Sequence, residues 1–127
     1  MTDADKPGPA IRRMKTYTGA TGYVYQYYFV GRRMALEGDP EGPATEFIFD
    51  ITPDRKTIYA TSVFLKADAL DAWAAQHGRA LTGTEQYAAA KLRLFQAFDQ
   101  IENIRHHLRL VINAGNIGEV LSSLDLD

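Results

Sequence analysis

The sequence predicts an α+β domain: an antiparallel three- to four-stranded meander followed by a short helix, a long helix and a short C-terminal helix. Three observations lead there. Aromatic and β-branched residues crowd the stretch from Tyr17 to Leu65, where they suit a pleated surface. At Asp68 the apolar spacing changes from strand-like to helix-like. A chain of 127 residues with 46% apolar and 24% charged positions is ordinary for one globular domain.

Met1–Ala10 (MTDADKPGPA) offers nothing to bury, which predicts a flexible tail over residues 1–10 ahead of a single domain over 11–127. Lacking an apolar core, it does not read as a signal peptide. A short extra strand near Ile11–Tyr17 would turn through Thr18–Gly22 into the first long strand, Tyr23–Val30. Glu37–Pro43 carries two glycines and two prolines, the composition of a loop. Thr45–Ile51 is the second strand, with Phe47, Phe49 and Ile51 on one face. Thr52-Pro53-Asp54-Arg55 is a turn, and Thr57–Leu65 is the third strand.

Asp68 reads as the N-cap of a helix over Ala69–His77, with Leu70, Trp73 and Ala74 on one face and Gly78 just past its end. That face assigns Trp73 to the core. Thr82 and Glu85 form a capping-box pattern. The helix they open is expected to run from about Gly83 to about Ile112, because Tyr87, Leu94, Ile101 and Leu108 recur every seven residues beside Ala90, Ala97, Ile104 and Val111. Gly115 is its expected left-handed cap, and Asn116–Glu119 repeats capping chemistry before a short helix holding Val120, Leu121 and Leu124. Such a rod would reach roughly 45 Å at about 1.5 Å per residue. A compact domain of this size spans only ~27 Å. Either the rod breaks, or its far end packs on something else, for which a second copy in a homodimer is the obvious partner.

The net charge of −2 conceals a segregation. Lys6, Arg12, Arg13, Lys15, Arg32 and Arg33 are the only charges between residues 6 and 36, and Glu37, Asp39, Glu41, Glu46, Asp50 and Asp54 the only ones from 37 to 54. Strand pairing accounts for it. A turn centred near residue 40 sets Phe29 opposite Ile51, Gly31 opposite Phe49 and Arg33 opposite Phe47. Tyr23, Tyr25, Tyr27 and Phe29 then share a helix-covered face with Phe47, Phe49 and Ile51. On the other face Arg32 lies diagonal to Glu46 and Asp50. Val24, Gln26, Tyr28, Val30 and Ile48 remain there, too apolar to be merely wetted, as at a partner surface.

The alternative assigns Arg12, Arg13, Lys15, Arg32 and Arg33 to a basic, tyrosine-rich surface for a polyanion or single-stranded nucleic acid. Gly22-Tyr23-Val24-Tyr25 resembles part of the aromatic strand of the RNA-recognition motif. Thr21 stands where that pattern has a basic residue, Val24 fills its small position, and the order of elements differs.

Catalytic signatures are sparse. No cysteine is present, which excludes disulfides, thiolate metal sites and cysteine nucleophiles. Gly19-Ala20-Thr21-Gly22 has the spacing of neither a P-loop nor a dinucleotide fingerprint, and none of Ser62, Ser122 and Ser123 sits in a nucleophile context. On a continuous helix Asp99, Glu102 and His106 would share a face and could offer a metal two carboxylates and an imidazole, with His77 and Asp71 as outside donors. Tyr23, Tyr25, Tyr27 and Tyr59 are candidates to line a pocket between sheet and helices. No cofactor is implied. The longest nearly apolar run, Tyr23–Val30, falls far short of the about 20 residues that span a bilayer, so a cytoplasmic protein without membrane partners is expected. The leading expectation is a non-catalytic interaction or regulatory protein acting as a homo-oligomer. Polyanion or single-stranded nucleic-acid binding, and a small-molecule or metal-dependent enzyme, are the alternatives.

Overall fold

The computed structural model describes residues 14–35 and 42–124. The tail expected over 1–10, Arg12, Arg13 and most of the 37–43 loop lie outside them. The class is α+β, as expected, but among the described residues the sheet has five strands in the order β1-β2-β3-β4-β5: β1 (Lys15–Thr18), β2 (Val24–Ala35), β3 (Ala44–Thr52), β4 (Tyr59–Lys66) and β5 (Leu108–Ile112). The first four form the antiparallel meander, and β5 joins β4 in parallel. Between β4 and β5 run α1 (Ala67–His77) and α2 (Gly83–Gln100); α3 (Ile117–Val120) and a single 3₁₀ turn (Leu121–Ser123) follow.

The rod to Ile112 does not form. α2 ends at Gln100, Ile101 is extended with φ −112°, and Asn103 adopts φ +55°. Asparagine tolerates that left-handed conformation and breaks the helix there. Leu108, Leu110 and Ile112 then alternate inward while Arg109 stays exposed, a two-residue period that keeps Leu108 of the expected seam inside and turns Val111 to the other face. The chain folds back on itself, and the length argument for a second copy falls with the rod.

Smaller corrections have local causes. α1 starts at Ala67 with Lys66 as an N-cap that makes no side-chain bond; Asp68 lies in the first turn, where its charge suits the helix dipole. Gly78 does close α1 at φ +75°. The capping box is present, with Glu85 N–H donating to Thr82 Oγ1 at 3.1 Å and Thr82 N–H donating to Glu85 Oε1 at 2.9 Å. Gly115 is not a left-handed cap. Asn113 Oδ1 accepts the N–H groups of Gly115 and Asn116, so this stretch is a side-chain-built turn out of β5. Asn116 makes no capping bond to α3; its side chain reaches back to Asn113 N–H and the Val111 carbonyl.

The register of β2 on β3 is Phe29 opposite Phe49, not Ile51, and it slips by one at a bulge on Val30. A two-residue displacement preserves faces. Tyr25, Tyr27, Phe47, Phe49 and Ile51 are therefore buried together under the helices with Trp73, Leu94, Phe98 and Ile112. Beyond the bulge the faces invert, so Arg32, not Arg33, is opposite Phe47, and Arg33 faces Glu46.

Candidate functional site

The inner face of the sheet is closed. Tyr25, fully buried, stacks on Phe98 at 4.4 Å. Tyr27 is buried and packs edge-on to Phe95, and burial raises both phenol pKa values. Tyr23 is half-buried against Tyr25. Tyr59, across Ile51 from Tyr27, meets His107 edge-on at 5.7 Å. Tyr25 and Tyr27 thus fill the core. Trp73 is in the core, as expected, its indole between the His77 ring at 4.0 Å and the Arg79 guanidinium at 5.0 Å. A groove of about 400 Å³ runs beside it, bounded by His77, Gly115, Ile117, Leu121 and Leu124.

The expected metal face is not formed. With α2 ending at Gln100, Glu102 and His106 leave the helix, and Asp99 turns to the β1–β2 turn instead. Its Oδ1 accepts the Tyr17 hydroxyl at 2.9 Å and the Ala20 N–H at 3.0 Å. Burial, then this hydrogen bond, raises the Tyr17 pKa. Among the described residues no three His, Asp or Glu side chains gather as metal ligands.

The outer face differs. The helices contribute their buried residues to the opposite side, leaving Val24, Gln26, Tyr28 and Val30 in a row along β2 with Ile48 beside them on β3. Val24 is 49% and Val30 36% exposed, while Ile48 and Tyr28 are half-buried. A shallow hollow lined by Thr16, Val24, Gln26, Thr52, Asp54 and Arg55 continues the surface at one end. At the other end sits a charged cluster. Glu46 is buried, with Arg33 Nε donating to its Oε1 at 2.8 Å and Ser62 Oγ donating to its Oε2 at 2.6 Å. Burial pushes the Glu46 carboxyl up, but the Ser62 and Arg33 bonds and the charges of Arg33 and Arg109 bring it below its ordinary value.

Among the described residues β2 has a neighbour on one side only for much of its length. β1 covers only Val24–Tyr27, and from Tyr28 to Ala35 no strand among the described residues lies on that side. Every residue of this stretch is at least partly exposed. α2 runs above it. Tyr87 packs edge-on to Phe29 at 4.9 Å, and Lys91 Nζ lies 5.4 Å from the Tyr87 ring. Lys15 marks the end of β1, opposite Tyr27. Burial, then repulsion from Lys15, lowers the Lys91 pKa. Arg32 reaches over the Phe47 ring at 4.9 Å, with Nη2 donating to the Gly83 carbonyl at 3.5 Å.

Of the five basic residues singled out in the sequence, then, Lys15 lies at one end of this stretch and Arg32 within it, Arg33 is held by Glu46 on the outer face, and Arg12 and Arg13 are outside the described residues. Lys91 was missed. Its only sequence signal is its place one turn after Tyr87, at the border of the apolar stripe of α2. No family model, curated protein or solved structure matches the chain. Among the described residues, no helix is long and apolar enough to cross a membrane.

Proposed function

We propose that this is a non-catalytic interaction protein that acts as a homo-oligomer, with the outer sheet face as the contact between copies. One observation carries the reading. The row of Val24, Tyr28 and Val30, with Ile48 alongside, forms an apolar strip on the sheet face opposite the helices. Apolar rows of this kind mark association surfaces, and among the described residues no helix or strand lies over this one. A two-fold contact repeats the strip on both partners, so two twisted faces of this kind are self-complementary in chemistry.

The disposition of the reactive side chains supports the non-catalytic part. Glu46 is bonded by Arg33 and Ser62, Asp99 by Tyr17 and the Ala20 amide, and Glu85 by Arg79 and Thr82. Each serves the architecture. Light scattering on purified full-length protein at tens of micromolar tests the reading. A dimer mass that falls to a monomer mass in Val24→Glu is expected, and a monomer mass for the unmodified chain removes the reading.

A further inference from the structure

We infer that the hollow between β1, α2 and α3 takes a small organic diamine, with one ammonium group on Asp99, the other on Glu119 and the hydrocarbon chain between them. The local pattern of α2 builds one wall. Leu92, Phe95, Gln96 and Asp99 recur at three- and four-residue steps and so share a helix face. Tyr17 of β1 stacks on Phe95 at 4.3 Å, and Glu119 and Val120 close the other side from α3. The space these residues bound measures about 320 Å³, at the small end of the range of ligand sites. Every residue that lines it is a described one.

The first carboxylate is held in place with one oxygen left over. Asp99 Oδ1 accepts the Tyr17 hydroxyl and the Ala20 N–H. The turn that carries Ala20 lies so close to α2 that a Cβ on Gly19 would collide with the Phe98 carbonyl oxygen. Asp99 is thus oriented before any ligand arrives. Among the described residues nothing donates to its Oδ2, and no Lys, Arg or His lies within ion-pair distance of Asp99 or Glu119. Arg93 meets the Glu119 charge only at longer range, its Nε donating to the Val111 carbonyl at 3.1 Å. An entering cation relieves both carboxylates.

The walls select the kind of cation. Leu92, Phe95 and Val120 present hydrocarbon, which a metal ion cannot use, and among the described residues no third His, Asp or Glu joins the two carboxylates as a ligand. An alkyl chain with an ammonium group at each end matches both features. Its methylenes lie on the apolar side chains, and its ends make charge-assisted hydrogen bonds to the carboxylates. A lysine side chain from a partner brings the same stem with one charge, and so leaves one carboxylate unpaired.

The test is an amide NMR titration of the full chain at low salt with 1,5-diaminopentane, beside 1-aminopentane and 1,5-pentanediol as comparison probes. Shifts confined to Ala20, Asp99, Glu119 and their neighbours are expected. They should saturate at lower concentration for the diamine than for the monoamine, be absent for the diol, and weaken as salt is raised. Asp99→Asn retains an oxygen for the Tyr17 and Ala20 bonds and removes only the charge, so it should weaken diamine binding roughly threefold to tenfold. Glu119 is exposed, so Glu119→Gln supplies a second variant that leaves the fold undisturbed, and it should bring the diamine down to the level of the monoamine. No shifts, shifts centred elsewhere, equal binding of the monoamine or the diol, or binding undiminished in either variant overturns the inference. The hollow is on the helix side of the sheet, so this result is read independently of the self-association test.

Discussion

The Tyr25 hydroxyl donates to the Ile101 carbonyl at 2.8 Å and accepts the Ile104 N–H at 3.0 Å. One phenol from β2 thus satisfies two backbone groups of the turn that ends α2 and sends the chain back to form β5. Tyr25→Phe keeps the ring stacked on Phe98 and removes only these two bonds. A buried amide left without an acceptor costs about 1–3 kcal/mol. The expected result in urea unfolding is a loss of that size, with faster amide exchange localised to residues 101–107.

The β1–β2 turn is fixed to α2 by close approach. A Cβ on Gly19 would lie 2.2 Å from the Phe98 carbonyl oxygen, and Asp99 already anchors Ala20 beside it. Gly19→Ala must separate the turn from the helix. A destabilisation of about 1–3 kcal/mol is expected from such overpacking, measured by thermal or urea unfolding. Gly22→Ala is the informative partner: nothing lies within 4 Å of its added Cβ, but its φ is +92°, so any loss there reports backbone strain alone.

Thr61 presents the opposite case. Its side chain is fully buried on β4 and its Oγ1 has no hydrogen-bond partner. Valine fills nearly the same volume without the hydroxyl. Thr61→Val should therefore stabilise the fold by about 1 kcal/mol, seen as a shift of the urea midpoint at constant slope.

Two carboxylates give a pH dependence with a defined sign. The Arg79 guanidinium, with the Thr82 amide, holds Glu85 at about 2. The Thr57 and Lys56 amides, with Arg105 further out, hold Asp54 at about 2. Both folded values lie below the unfolded ones near 4.5 and 3.8. Their stabilisation is therefore complete above about pH 5 and is lost as the pH falls toward 2. Urea unfolding from pH 7 down to pH 2 should show a plateau and then a decline. Glu85→Gln should make the decline shallower, because glutamine keeps the capping bond but no longer titrates.

How far the sequence determined these features follows from the range of the interactions. The capping box at Thr82 and Glu85, the glycine stop at Gly78 and the inward tyrosine row each depend on residues a few positions apart, so the local pattern contains them. The end of α2 depends on Tyr25, distant along the chain, and on the left-handed Asn103. Leu108, Leu110 and Ile112 satisfy both a strand period and part of a helical one, and only pairing with β4 decides between them. The bulge at Val30 was equally invisible, since it arises where β2 meets β3. It exchanged the roles of Arg32 and Arg33, turning the first toward α2 and the second onto Glu46. For the candidate surfaces, the outer apolar row was legible from alternation alone. Where β1 stops along β2 is set by the pairing itself, and Lys91 gained meaning only beside Lys15.

Whether copies of the chain meet through the outer sheet face, as proposed, is read out by sedimentation velocity over a concentration series. The boundary is expected to move from monomer to dimer as concentration rises, with Val24→Glu/Val30→Glu held at monomer while its circular dichroism is unchanged. A boundary that stays monomeric for the unmodified protein at every concentration would contradict it.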